Sequence, residues 1–520
     1  MPVRVGVFGW GIVAPKSRNM EAFRNNLAAG GSWLEPFNGF GPDNFLVGVP
    51  DFDFSEYQNW VRKRFAPRHF QKLKEKMDLP AQYAMGSFIQ ALGQNEGLEA
   101  ELQRLGGQTH IYVGTGVGAL DTTYKASIAL YEAQRRWNRF WSKPERNYAL
   151  RQYLAKPAAE RTGAPPVPDH TDEDAYDDLS AAWCSYWAER SPELDEYLVE
   201  LAVIDSLDIE GDVATGKLHL IREKEKRRGR LQEKWGVPEP PWNVTADIIW
   251  NIHNAPAAQI SILGKITGLT FAPVGACSTF GLALRLAMRA IQGGDAKAVV
   301  VGATDPPPHP LLVGAFYSAR VISADRTASI PLTRLHGTHV AGGSIVWIVG
   351  DFDYMVSKGF KPLGMEPLSV GVSSDANHII TPSLEGPKAA MFQALEEAHA
   401  ETKDLGSWDL HATATPGDYT EVATLEAVVE RPLLVTARKG TFGHGMSAGG
   451  GWELTAQYLG YQEGQLFPTP LNKDDLNGAI ADIHDAFVFD SPRGLPAGLA
   501  GKLSMGIGGI NACVISRPLS

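Results

Sequence analysis

The 520-residue sequence predicts an α/β protein with largely parallel sheets, assembled from two similar halves. Three observations lead there: short apolar runs recur along the chain, stretches with helical pattern lie between them, and the alternation begins again in the later half. In the first half, VRVGVFGWG (3–11), HIYVGTG (110–116), FAPVGAC (271–277) and AVVVGATD (298–305) read as buried strands. In the second, PLSVGVSSD (367–375), DLHATAT (409–415), PLLVTARKG (432–440) and KLSMGIGGINACVIS (502–516) repeat the habit. Helical pattern covers 81–98, 278–292, 387–400, 419–429 and 446–461. The division falls at 1–305 and 306–520.

One stretch, 130–241, interrupts the rhythm. Residues 168–212 hold 15 acids and one base, whereas 217–234 hold eight bases and three acids. Charge alone suggests a solvated segment, but tryptophan argues otherwise. Trp137 and Trp141, then Trp183 and Trp187, are four residues apart, with Trp235 and Trp242 following. That spacing buries one helical stripe, so a mostly helical insertion, docked on the core or on a second subunit, is expected.

Lys and Arg total 48 against 59 Asp and Glu, a net charge of −11, which excludes wholesale binding to a phosphate backbone and hence nucleic acid as partner. Cys184, Cys277 and Cys513 are too scattered for a disulfide framework or a zinc knuckle, which fits a reducing compartment. The start, MPVRVGVFGWGIVAP, reads as strand and turn rather than signal peptide, and no apolar run reaches the ~18 residues that span a bilayer. A soluble cytoplasmic protein is expected.

Cys277 stands between an apolar strand and a helix that is apolar on nearly all sides. Unpaired N–H groups and the positive end of the helix dipole favour thiolate there, making Cys277 a candidate nucleophile rather than the inert packing a buried cysteine commonly is. His411 in DLHATATPGD and His444 in KGTFGHGMSAGGG follow strand-like residues and have small neighbours that leave room for substrate. Spacing alone does not join them to Cys277. The glycine clusters 440–451 and 506–509 lack the phosphate-loop and dinucleotide patterns. No histidine pair has metal-ligand spacing, so no metal is expected.

Taken together, Cys277 in GACSTFGLAL, His411 in HATATPGD, Lys439 and His444 in KGTFGHGMSAGGG, and the terminal GIGGINA resemble the elongating β-ketoacyl synthases of the thiolase superfamily. The resemblance covers 1–127 and 243–520, with support from QYAMGSFIQAL, GTGVGAL, PLTRLHGTHVAGG and SSDANHIITPSLEG. It implies a thiolase-like fold: two duplicated βαβαβαββ halves in a five-layer α-β-α-β-α core, usually as a homodimer. It also implies decarboxylative Claisen condensation of acyl and malonyl thioesters in fatty acid, polyene or polyketide synthesis. No cofactor would be bound; phosphopantetheine arrives on an acyl carrier protein.

The same resemblance assigns roles. Cys277 would take the acyl chain, while His411 and His444 bind the malonyl thioester carbonyl, and Lys439 with Glu453 orients the histidine. Backbone N–H groups of Cys277 and Ile507 would form the oxyanion hole. Thr413 and Thr415 would hydrogen-bond the pantetheine arm, with Asp418 and Glu421 structural. Ile507 replaces the family's aromatic gate, with Met505 beside it, which leaves acyl-chain control open. In RKRFAPRHFQKLKEK (62–76), Lys72 and Lys76 match carrier-docking positions, whereas Glu75 replaces a usual Arg; the basic run 222–230 is a second candidate. An initiating synthase primed by acyl-CoA, a non-catalytic chain-length partner and a thioester-cleaving cysteine hydrolase remain as alternatives.

Overall fold

A computed structural model describes residues 3–41, 45–169, 171, 173–208, 213–324, 326–429, 433–480 and 487–519. Position 432 of the expected run 432–440 lies outside them. The chain forms two compact units, Met1–Asp121 with Ile249–Ser520, and Thr122–Ile248.

The larger unit holds two five-stranded sheets. The first runs Val5–Val13, Gly343–Asp351, Ala298–Asp305, Thr109–Gly114, Thr270–Phe271. Its first two pairings are antiparallel and its last two parallel. The second sheet runs Met365–Ser374, Ile510–Pro518, Leu499–Gly506, Leu405–Asp409, Leu434–Thr436, with the same two antiparallel and then two parallel pairings. The repeated order is the duplication.

Two expectations need correction. Each sheet is mixed rather than largely parallel, because a strand's apolar pattern reports burial on both faces and not direction. The run 502–516 is a hairpin, turned through Gly508 and Gly509 at φ +93° and +70°, a conformation that favours glycine. Secondly, Gly343–Asp351 completes the first sheet, so the halves part between Asp351 and Met365 rather than at 305. Two runs also shrink. Of FAPVGAC only Phe271 is strand, ending Thr270–Phe271, since Pro273 has no N–H to donate, and the strand before HATAT is Leu405–Asp409.

Helices fill three layers around these sheets. Leu79–Leu92 and Ala255–Gly264 cover the outer face of the first, and Glu385–Glu397 and Gly417–Val428 belong to the second. Thr279–Gln292 and Met446–Glu463 pack on each other and against both sheets, so they lie between them. This is the five-layer α-β-α-β-α arrangement, and the middle helices are the ones that begin two residues after Cys277 and two residues after His444. Nearly every residue of Met446–Tyr461 is buried, which explains the run of Ala and Gly at its start: small residues let the helix approach its neighbours closely. Among the described residues no helix is long and apolar enough to cross a membrane.

The smaller unit is helical. Trp137, Trp141, Ala188, Tyr197 and Leu231 form its core, with Trp137 and Trp141 ring centroids 5.6 Å apart. Buried Asn147 ties two helix ends together by donating to the Trp141 and Trp187 carbonyls at 3.0 and 2.6 Å. The segregated charges face one another: Arg228 meets Asp205 at 2.6 Å, and Lys234 meets Glu200 at 2.6 Å, across the Pro192–Asp205 and Val213–Trp235 helices. Part of the basic run is therefore already partnered within this unit.

Candidate active site

Cys277 sits in a single 3₁₀ turn, Ala276–Ser278, immediately ahead of the Thr279–Gln292 helix. Ala276 adopts φ +48°, a strained conformation for a residue with a Cβ, and the bend is held by Thr279, which accepts from Gly275 N–H at 2.9 Å and donates to the Ala276 carbonyl at 2.7 Å. Ser278 donates to the carbonyls of Ser504 and Ile510, at 3.0 and 2.7 Å, fastening the cysteine turn to the terminal hairpin. The Ile507 and Cys277 N–H groups both approach the Cys277 sulfur.

His411 lies just past the Leu405–Asp409 strand. Glu421 shapes its loop by accepting from the N–H groups of His411 and Ala412 at 2.6 and 2.7 Å, and Asp418 by accepting from Thr413 and Ala414 at 2.6 and 3.0 Å. Burial pushes the Glu421 carboxyl up to about 8 and that of Asp418 up to about 6. His444 is anchored through its backbone: its N–H donates to the His339 carbonyl at 2.6 Å and its carbonyl accepts from Ala341 at 2.9 Å.

These three elements converge. A side-chain donor atom from each of Cys277, His411 and His444 lies within 4.8 Å of the others, and all three residues are buried. The two rings stand nearly perpendicular, centroids 5.4 Å apart. Lys439 Nζ is 3.2 Å from His411 Nδ1, and the Met446 N–H donates to His444 Nδ1 at 3.1 Å. Each Nδ1 is thereby an acceptor, so each neutral ring carries its proton on Nε2. The soft donor set has the ligand types of a metal site, but the Lys439 ammonium sets a positive charge beside it.

Burial pushes the Cys277 thiol up to about 11, against the opposing pull of the Ile507 N–H and the Lys439 charge. The expectation of a helix-favoured thiolate therefore does not hold in the free pocket, where desolvation outweighs the helix terminus. Burial and Lys439 push His444 down to about 3 and His411 well below the ordinary imidazole range, leaving both rings neutral.

One pocket opens onto this group. Thr413, Thr415, Met505 and Ile507 line it with the cysteine and both histidines. Lys439 and Glu453 stand behind, their ion pair at 2.5 Å. Lys72 and Lys76 are elsewhere, on the exposed side of the Pro67–Lys76 helix, with Lys72 Nζ 4.3 Å above the Trp250 ring. Residues 366–472 match the sequence model described as Beta-ketoacyl synthase, C-terminal domain, and residues 225–346 match its N-terminal domain. The chain thus carries both domains of a β-ketoacyl synthase. It is 28% identical over 340 residues to 3-oxoacyl-[acyl-carrier-protein] synthase 2 of Rhizobium meliloti (strain 1021), covering 63% of this chain and 76% of the relative. Two solved structures share the fold over the full length of both chains. They are the ishigamide ketosynthase/chain length factor, with TM-score 0.68 and 16% identity, and a type II PKS acyl-carrier protein in complex with its ketosynthase bound to the hexaketide, with TM-score 0.62 and 15% identity.

Sequence reasoning missed four charged residues around this β-ketoacyl synthase site. Asp305 accepts from Gly116, Val117 and Ser447 N–H groups at 3.0, 2.8 and 2.7 Å, pinning the start of the His444 helix to the loop after the Thr109–Gly114 strand. Asp409, Arg438 and Lys502 form a buried ionic group with Glu453. For Asp305, Asp409 and Lys502 the available signal was an ionisable residue inside or ending an otherwise apolar strand, whereas Arg438 lies two residues past one.

Proposed function

We propose that this site condenses an acyl thioester with malonyl-acyl carrier protein, releasing CO2 and forming a β-ketoacyl thioester. The observation that carries the reading is the pair of neutral imidazoles, both presenting Nε2–H, around one cysteine sulfur. The acyl carbonyl carbon bonds to Cys277 sulfur, the carrier's C–S bond breaks, and the cysteine proton leaves on the carrier thiol. The malonyl thioester then enters. As its carboxylate leaves as CO2, the electron pair passes into the thioester carbonyl, and the two imidazole N–H groups stabilise the enolate oxygen. The enolate carbon attacks the Cys277 thioester. The resulting oxyanion is stabilised by the Cys277 and Ile507 N–H groups, and its collapse breaks the carbon–sulfur bond to Cys277, whose thiolate takes up a proton from solvent.

Within this reading Thr413 and Thr415, whose hydroxyls are 2.9 Å apart at the pocket wall, bind the pantetheine arm. Met505 and Ile507 set which acyl groups enter. Lys72 and Lys76 belong to an exposed basic helix suited to an acidic carrier protein. The test is single-turnover mass spectrometry with acyl and malonyl carrier proteins. Acyl-Cys277 followed by β-ketoacyl carrier protein supports the reading. Acylation from acyl-CoA but not acyl carrier protein favours an initiating synthase, and acyl release as free acid without malonyl consumption favours a hydrolase.

A further inference from the structure

Behind His411 a line of alternating charges runs into the core. Lys439 Nζ meets Glu453 Oε1 at 2.5 Å, and Glu453 Oε2 meets Lys502 Nζ at 2.8 Å. Lys502 in turn lies 3.4 Å from Asp409 Oδ1, and Asp409 Oδ2 lies 3.2 Å from Arg438 Nε. All five side chains are 3% exposed or less. Sheet register puts Lys502 there: within the Leu499–Gly506 strand it pairs directly with Asp409 of the parallel neighbour.

Lys502 touches neither the pocket nor any reacting atom of the proposed chemistry, and fold stability is a weak reason for its presence. Desolvating an ion pair generally offsets its attraction, so apolar packing would serve the core equally well. Burial works against the Lys502 charge, but Glu453 and Asp409 outweigh it and hold its pKa above the ordinary value. What Lys502 does geometrically is set a cation against the second oxygen of Glu453: its ammonium donates to the Leu410 and Leu503 carbonyls and, so held, stands 2.8 Å from Glu453 Oε2 as an ion pair. A buried carboxylate with one oxygen satisfied is free to turn toward other donors, whereas one bridging two cations has its torsion fixed.

We propose that Lys502 is a positioning residue for condensation: by fixing Glu453 it keeps Lys439 on His411 Nδ1, and so keeps the His411 proton on Nε2, facing the substrate. The inference rests on the proposed role of that N–H at the malonyl thioester. Its charge acts in the same sense, since Lys502, together with Lys439 and the neighbouring His444, disfavours protonation of His411.

The test uses the whole protein, comparing wild type with Lys502→Met and with Asp409→Asn/Lys502→Met, which removes one charge of each sign. Three quantities are followed: CO2 release from malonyl carrier protein, alkylation of Cys277 by iodoacetamide, and the melting temperature. The expected result is a fall in CO2 release of about tenfold or more, with Cys277 alkylation within about threefold of wild type, in at least the charge-matched variant. Unchanged CO2 release in a folded variant overturns the proposal. So does a parallel fall in both reactions, or loss of the fold in both variants, each of which makes Lys502 merely structural. A wild-type protein that releases no CO2 sinks the proposed function itself, and the inference with it.

Discussion

Lys439 Nζ lies 3.2 Å from His411 Nδ1 while the same ammonium donates to the His411 carbonyl, so one cation grips both the ring and the backbone of that histidine. Replacing it by Lys439→Met frees Nδ1 and removes a positive charge that helps hold both imidazoles neutral. CO2 release should fall by about a hundredfold. Because the rings then protonate more readily, the acid limb of the pH profile should move up toward 6.5. Initial CO2-release rates between pH 4 and 8 check this; a limb that stays in place contradicts it.

Cys277→Ala separates the two halves of the reaction. The sulfur is needed to carry the acyl group but not to lose CO2 from malonyl thioester, which the two imidazoles promote. Condensation should drop by about a thousandfold or more, with CO2 release retained within about tenfold. Labelled CO2 and product assays on one preparation measure both.

The depressed imidazoles also make a stability statement. In the unfolded chain each histidine takes up a proton below about 6.5, whereas folded His444 resists until about 3 and His411 stays well below its ordinary value. Their contribution is complete above the unfolded value and is lost as pH falls through that window, by up to about 1.4 kcal/mol per pH unit for each. His444→Asn should therefore flatten the decline in denaturation midpoint between pH 6.5 and 4. Parallel declines in variant and wild type would contradict it.

Gly506→Ala and Ile507→Ala should differ in kind. A Cβ on Gly506 would stand 2.8 Å from the Gly275 carbonyl oxygen and 3.3 Å from Cys277 N, so the turn carrying the Ile507 N–H must move away from the cysteine. Condensation should fall by about ten- to a hundredfold. The Ile507 side chain is 39% exposed and lines the pocket. Truncating it should shift the acyl groups accepted while changing stability by under about 0.5 kcal/mol. Competition between short and long acyl carriers, with melting curves, distinguishes the two.

In the helical unit, Asn147→Ala strips a buried partner from the Trp141 and Trp187 carbonyls. The expected cost is about 2 kcal/mol, read as faster hydrogen exchange in the Leu120–Trp141 and Glu173–Ala188 helices.

Much of this molecule is readable from its residues because local pattern and local chemistry agree. Cys277 before an apolar helix and two histidines among small neighbours all converge on one pocket, as their motifs imply. Tryptophans four apart correctly signal buried helical faces. Strand direction is less readable: Gly343–Asp351 and Val5–Val13 look alike whichever way their neighbours run, and only pairing across hundreds of residues decides it. Lys502 and Asp409 fail for the same reason. Each taken alone reads as a solvated charge in a strand, and their burial makes sense only once sheet register sets them side by side.

The five buried ionic groups reaching from Lys439 to Arg438 comprise three cations and two anions. Neutral replacement of either acid would leave three cations around a single anion, with no solvent at hand to absorb the difference, whereas neutral replacement of one base leaves two charges of each sign. Loss of an acid here should accordingly come coupled to loss of a base. Libraries that randomise one site at a time would find Asp409 and Glu453 the least replaceable of the five, while paired libraries would open them.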